Sequence, residues 1–242
     1  QHNSGHNYSK NYLNHFDTRV KNIYLPKVDF LKKIITNKIN LIDIGSGGGH
    51  FLKACEIRKI PAEGYEPNKT LVNLGKKRLR SNQIHNLDLE STYNKVFTSK
   101  ANTLSLIGVL EHLDKPLKII KLFNKSNLNY LYISVPLFSL SALIENSFKN
   151  IFPRQLSAGH THLYTKESLN YLAKKNGLKI IGEWWFGSDF PDLYRSLLNS
   201  SSADLKKYNP LLDKYLFSVI NELQHILDKN KICSEVHMVF KK

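Results

Sequence analysis

Residues 41–51, Leu-Ile-Asp-Ile-Gly-Ser-Gly-Gly-Gly-His-Phe, decide the fold. An apolar run over 40–44 reads as a short buried strand, and a glycine-rich turn follows it. Gly45, Gly47 and Gly49 recur at every second position before a helix that extends to about Arg58. Without Cβ atoms the turn bends tightly and lets its backbone approach a ligand. Because the turn opens a helix, amide N–H groups and the positive helix end face the bound molecule.

The acid of this stretch narrows the ligand. A dinucleotide loop uses G-x-G-x-x-G to cradle a pyrophosphate. Here the pattern is D-x-G-x-G-x-G, with Asp43 two residues before Gly45. A carboxylate at that place repels pyrophosphate and favours a cationic ligand. Glu66 then closes the next predicted strand, Ala62–Tyr65, and is placed to accept hydrogen bonds from both hydroxyls of a ribose.

Outward from these stretches, apolar runs alternate with amphipathic ones, as in a parallel sheet covered by helices. Further strands are expected at 84–87, 103–107, 130–135, 178–186 and 235–240. Helices are expected at 20–35 (kinked or delayed by Pro26), 69–80, 117–123 and 165–176. Thr165 reads as the cap of the last of these and Gly177 as its stop. Apolar residues from Leu212 to Leu227 fall at helical spacing, so a helical insertion precedes the final strand.

Composition bounds the function. With 41% hydrophobic and 23% charged residues, the 242-residue chain builds a large core and is not disordered. Cys55 and Cys233 form no metal-binding pattern and point to a reducing compartment, so a cytoplasmic location is expected. Gln1 to Asn14 is polar, without the apolar segment of a secretory signal. Ser126 to Ile144 carries no charge, but its two Asn, Pro136 and four Ser fit a strand and loop better than a membrane span.

The net charge of +15 attracts polyanions, among them nucleic acid and phosphorylated metabolites. Only six of the 35 cations are Arg, the residue that forks onto phosphate and guanine. The 24 Asn and the many Lys and Ile share AT-rich codons, which account for charge without a polyanionic partner.

LIDIGSGGGHFL, then GYEPN, then LIGVLEHL, then YLYISVP resemble the successive motifs of class I S-adenosylmethionine-dependent methyltransferases. The resemblance spans about residues 35–187, with 235–240 as the reversed last strand. It implies a Rossmann-like, doubly wound α/β sheet of seven strands in the order 3-2-1-4-5-7-6, the last antiparallel. It also implies S-adenosyl-L-methionine as cofactor, left as S-adenosyl-L-homocysteine. Asp43, Gly45, Ser46 and Gly47 would frame its methionine part and Glu66 with Pro67 its ribose. Asp88 and Leu89 would meet the adenine edge, and Leu106 to Val109, with Gly108 among them, the methionyl side. Asn102 stands where relatives usually carry Asp, and the DPPY or NPPY of amino-methylating nucleic-acid enzymes is missing.

Methyl transfer needs an aligned nucleophile and, for a hydroxyl, removal of its proton. His112, beside Glu111 after the fourth strand, and His160 and His162, in a later connection with Tyr164, are the candidate bases. Glu111 and His112 are two adjacent ligands, too few to assign a metal, and none is assigned. Arg154 suits an anionic acceptor. Tyr8 and Tyr12 belong to a segment that closes over the donor in similar enzymes. GSDFPDLYRSLL, residues 187–198, resembles methyltransferases of bacterial capsule and surface-glycan biosynthesis, which implies that Asp189, Asp192 and Arg195 shape the acceptor pocket. A plain cap by Asp192 on the helix after Pro191 is the alternative there.

One domain is expected: a lid and helix (1–35), a donor-binding core (36–187), a helical insertion (188–232) and a last strand (233–242). The expected reaction is O-methylation of a small, phosphorylated or nucleotide-activated glycan precursor carrying a sugar or phosphoramidate group. The alternative is an RNA methyltransferase or basic RNA-binding module, against which the scarcity of Arg weighs.

Overall fold

The computed structural model describes residues 15–80, 83–148, 153–156, 159–200 and 206–242. Tyr8 and Tyr12 lie outside the described residues.

The described chain begins with one helical run: α1 (Phe16–Arg19), a π turn (Val20–Tyr24) and α2 (Leu25–Ile34). Pro26 neither delays nor breaks it. Proline has no N–H for the carbonyl four residues back and its ring crowds that carbonyl. The widened turn just ahead, in which the Leu25 N–H reaches back to the Val20 carbonyl, makes room for the ring.

Strands and helices then alternate: β1 (Leu41–Ile44), α3 (His50–Ile57), β2 (Ala62–Glu66), α4 (Lys69–Lys76) and β3 (Ile84–Asn86). There follow α5 (Leu89–Thr98), β4 (Thr103–Ile107), α6 (Pro116–Lys125) and β5 (Tyr130–Pro136). The second half holds α7 (Leu140–Ser147), α8 (Lys166–Lys175), β6 (Lys179–Phe186), α9 (Asp189–Ser200), α10 (Asn209–Tyr215), α11 (Ile220–Lys229) and β7 (Glu235–Lys241).

The sheet order is β3-β2-β1-β4-β5-β7-β6, with β7 antiparallel to both neighbours and the other pairings parallel, as the resemblance implied. Two helices depart from the sequence expectation: α5, and α7 inside the connection read as a loop. Among the described residues the insertion holds three α-helices, and α4 ends at Lys76, short of Arg80. Asp192 lies within the first turn of α9 rather than capping it. Thr165 and Ser168 do form a reciprocal capping box on α8, and Gly177 takes the left-handed conformation (φ +64°) after it.

Alternation along the strands sorts the core. Leu41, Tyr130, Tyr132 and Val239 face Val28, Leu31 and Phe51 on one side of the sheet. Ile42, Leu104, Leu131 and Ile133 face Val96, Ile119, Phe123 and Leu169 on the other. Each such side chain, once buried, contributes about 1.5–3 kcal/mol. Reversal of β7 matters for the site: Glu235 pairs with Pro136, so the start of β7 sits at the carboxyl end of β5. No described helix is long and apolar enough to cross a membrane.

Candidate active site

Parallel strands end together, and the crevice beyond their carboxyl ends is where such sheets take ligands. Asp43, next to last in β1, is 2% exposed and accepts a 2.5 Å hydrogen bond from Ser105 Oγ of β4. Burial pushes its carboxyl up to about 7, against the pull of Ser105 and Ser46. Beyond it, Gly45 and Gly49 adopt φ of +71° and +80°, a region hostile to residues with a Cβ. A Cβ on Gly45 would also lie 2.6 Å from Val109 Cγ2. Gly49 caps α3 without a side-chain bond.

Glu66 grips this turn from the neighbouring strand. Its Oε2 accepts the Gly47 N–H at 2.9 Å and its Oε1 the Asn68 N–H at 2.9 Å. Asn86, which the sequence did not single out, donates from Nδ2 to the carbonyls of Glu66 and Pro67 and fixes the end of β2.

A cleft of about 410 Å³ opens over the ends of β1, β4 and β5. Asp43, Gly45, Ser46, Gly47 and Gly108 line it. Glu111, His112, Arg154 and His160 line it as well, with Glu235 at the start of β7. Arg19, Tyr24 and Lys27 contribute from the first helical run. Glu235 and Lys27 carry no motif; only the reversal of β7 and the packing of α2 bring them here.

The Glu111 region holds unsatisfied chemistry. Glu111 is 4% exposed and, among the described residues, its Oε2 has no hydrogen-bond partner. Burial, with the charge of Glu235 adding, lifts its carboxyl to about 7. Its backbone carbonyl accepts the Thr161 N–H (2.7 Å) and Oγ1–H (2.9 Å), which draws the 159–161 segment onto it. His160 thereby meets His112, with ring centroids 4.8 Å apart. Burial lowers the His112 pKa, with its bond to the Gly159 carbonyl pulling the other way. Ligand atoms of Glu111, His112 and His160 all lie within 4.8 Å of one another. Two adjacent candidates in sequence thus become three in space.

Other expected residues stand elsewhere. His162 does not line the cleft; its Nδ1 pairs with Thr161 Oγ1 at 2.8 Å and its ring stacks on Tyr164. Tyr164 is buried and donates to the Leu110 carbonyl at 3.3 Å. Asp189, fully buried, accepts from Ser139 Oγ (2.7 Å), the Ser141 N–H (3.0 Å) and the Ser234 N–H (2.9 Å). Arg154 donates to Asp192 and to Ser234 Oγ, and also borders a second cavity of about 270 Å³ with Arg195. Asp88 caps α5 through the Ser91 N–H, Leu89 is 40% exposed, and Leu106 is buried in the core. Glu66, Pro67, Asp88, Leu89 and Leu106 are outside the cleft lining.

No curated protein matches the sequence. Among solved structures, a SAM-dependent methyltransferase from Archaeoglobus fulgidus is 18% identical, with a TM-score of 0.60 over 90% of this chain and 92% of that one. Magnesium protoporphyrin IX methyltransferase from Synechocystis PCC 6803, with bound SAH, is 11% identical, with a TM-score of 0.54 over 96% and 83%. The [4+2]-cyclase SpnF is 13% identical, with a TM-score of 0.54 over 90% and 81%. Such likenesses show the fold, and one fold hosts different chemistries. The model of a methyltransferase domain matches residues 16–183, well over half the sequence. The chain belongs to that methyltransferase family and is a class I enzyme that uses S-adenosylmethionine.

Proposed function

We propose that this enzyme moves the methyl group of S-adenosylmethionine to an oxygen of a small, polar, anionic acceptor. The observation that carries the reading is one cleft lined by two unlike groups of residues. Asp43 and the glycine turn form one, and Glu111, His112 and His160 form the other. The donor is cationic at its sulfonium and ammonium groups, which the Asp43 carboxylate and the turn's close backbone approach suit. Glu66 retains acceptor capacity for ribose hydroxyls beside its two amide contacts, since a carboxylate offers about four lone-pair sites.

The second group supplies lone pairs where an acceptor hydroxyl must lose its proton. Transfer is an in-line displacement, so alignment contributes most and proton removal the rest. Arg154 supports an anionic acceptor: its three described bonds use Nε and Nη2, and Nη1 carries two further N–H groups. A phosphorylated or nucleotide-activated precursor of a bacterial surface glycan is the proposed class, on the strength of the resemblance at 187–198.

Calorimetric titration with S-adenosylhomocysteine tests the donor half; a folded sample that takes up none at high micromolar ligand overturns it. Incubation with S-adenosylmethionine and a panel of phosphorylated sugars and nucleotide-activated sugars, read by mass gain of one methyl group, tests the acceptor half. Methylation of bulk RNA with none of the small molecules modified would replace this reading.

A further inference from the structure

We propose that Glu111, His112 and His160 bind a divalent transition-metal cation whose open coordination positions face the cleft. The site itself stands on geometry; its role with the acceptor rests on the function proposed above.

Three observations converge. First, the Nδ1 atoms of both histidines face backbone carbonyls, His112 at Gly159 O (3.1 Å) and His160 at Gln155 O (2.9 Å). A carbonyl can only accept, so each Nδ1 carries the hydrogen and each Nε2 of the neutral ring keeps its lone pair. Imidazoles that ligate metals are usually oriented in this way, with the second nitrogen donating to a carbonyl or carboxylate. Second, the Glu111 carboxylate is buried with Oε2 unpartnered among the described residues. A buried carboxylate oxygen without a donor is costly and calls for a ligand. Third, all three residues line the same cleft.

The spacing is close to what an ion needs. Nitrogen and oxygen ligands at about 2.1 Å from a tetrahedral ion stand roughly 3.4 Å apart. The ligand atoms now lie within 4.8 Å of one another, so binding an ion would draw them together by up to about 1.4 Å. Two imidazoles and one carboxylate select zinc, iron, cobalt or nickel over magnesium and calcium, which prefer all-oxygen sets. Three protein ligands leave at least one position open, the pattern of catalytic rather than structural sites.

With an acceptor hydroxyl in that position, the cation lowers the hydroxyl's pKa as it does that of bound water. The proton leaves to solvent and the alkoxide oxygen attacks the methyl carbon. The O–C bond forms as the C–S bond breaks, and its electron pair stays on sulfur as the neutral thioether. One hydroxyl and one sulfonium thus give one methyl ether, one thioether and one proton.

The test uses full-length protein stripped with chelator and checked for fold by circular dichroism. Co²⁺ is titrated and followed by its visible absorption, and Zn²⁺ by calorimetry. We expect one equivalent whose affinity falls at least about 100-fold in His112→Ala and in His160→Ala. Glu111→Gln, which keeps the buried volume, should alter the Co²⁺ spectrum, whereas His225→Ala, on exposed α11, should leave it unchanged. The same Co²⁺ spectrum and affinity in the His112→Ala/His160→Ala double variant, or no uptake by the parent, overturns the site. S-adenosylhomocysteine titrated into the same stripped samples keeps the two questions apart. If it binds while no metal does, the metal proposal alone fails.

Discussion

Glu66 Oε2 accepts the Gly47 N–H at 2.9 Å, so the end of the second strand clasps the glycine turn that ends the first. The bond joins residues 19 apart in sequence and sets the turn's height above the sheet. Glu66→Ala removes this clasp and, in the proposed complex, the ribose acceptors. S-adenosylhomocysteine affinity should fall by roughly 10- to 150-fold, the equivalent of about 1.5–3 kcal/mol for charge-assisted bonds. Glu66→Gln, which keeps one carbonyl oxygen, should lose less. Isothermal titration of both variants against the parent checks the order.

Asp43 should make donor binding depend on pH. Its carboxyl sits near 7 because it is buried, so it is largely protonated below that value. Only the carboxylate attracts the donor's cationic groups. Affinity should therefore fall about fivefold from pH 7 to pH 6 and level off above pH 8. Asp43→Asn should bind weakly at all these values without the slope. A parent whose affinity is flat from pH 6 to 8 would sink this assignment.

The three histidines should separate in turnover. His112 and His160 line the cleft, and His162 leans on Tyr164 outside it. His112→Ala and His160→Ala should each lower turnover by about 100-fold or more with donor affinity nearly unchanged. His162→Ala should lose less than either. Single-turnover assays on an accepted substrate decide, and a largest loss at His162 would return the base role to it.

His237 should impose acid lability. It is fully buried against Trp184 and Phe186, and burial lowers its pKa to about 4. In the unfolded chain it takes a proton near 6.5, so the unfolded state binds more protons between these values. The stability it confers is complete above pH 6.5 and is lost as pH falls towards 4, by up to about 3 kcal/mol. Asp43, with a raised pKa, trends oppositely. Urea unfolding at pH 4.5 and 7 should thus be compared between parent and His237→Gln, whose difference isolates the histidine. Equal pH dependence in the two proteins would refute the account.

Local signals explain what the sequence disclosed. The glycine turn, the place of Glu66 at the end of β2 and the Thr165 cap of α8 are each signalled locally, and all appear where read. Helix α5 escaped because Leu-Glu-Ser-Thr-Tyr-Asn-Lys-Val-Phe-Thr buries only Thr92, Tyr93 and Val96 and is rich in weak helix formers. Helix α7 was hidden in an uncharged run, and its Ser139 cap looked like loop sequence. The meeting of His160 with Glu111 depends on backbone bonds through Thr161 across 50 residues, which no spacing rule encodes. Nor does any local pattern place Glu235 or Lys27 in the cleft.

Asp189 carries a consequence of a different kind. One buried carboxylate receives the start of α7 through Ser139 and Ser141, the entry to β7 through Ser234, and α11 through Gln224. It ties four elements together, its own α9 included, while the glycine turn is fastened separately by Glu66. Elements fastened independently can be exchanged independently. A chimera that replaces 189–229 between relatives sharing this tie should alter which acceptors are accepted and leave donor affinity where it was.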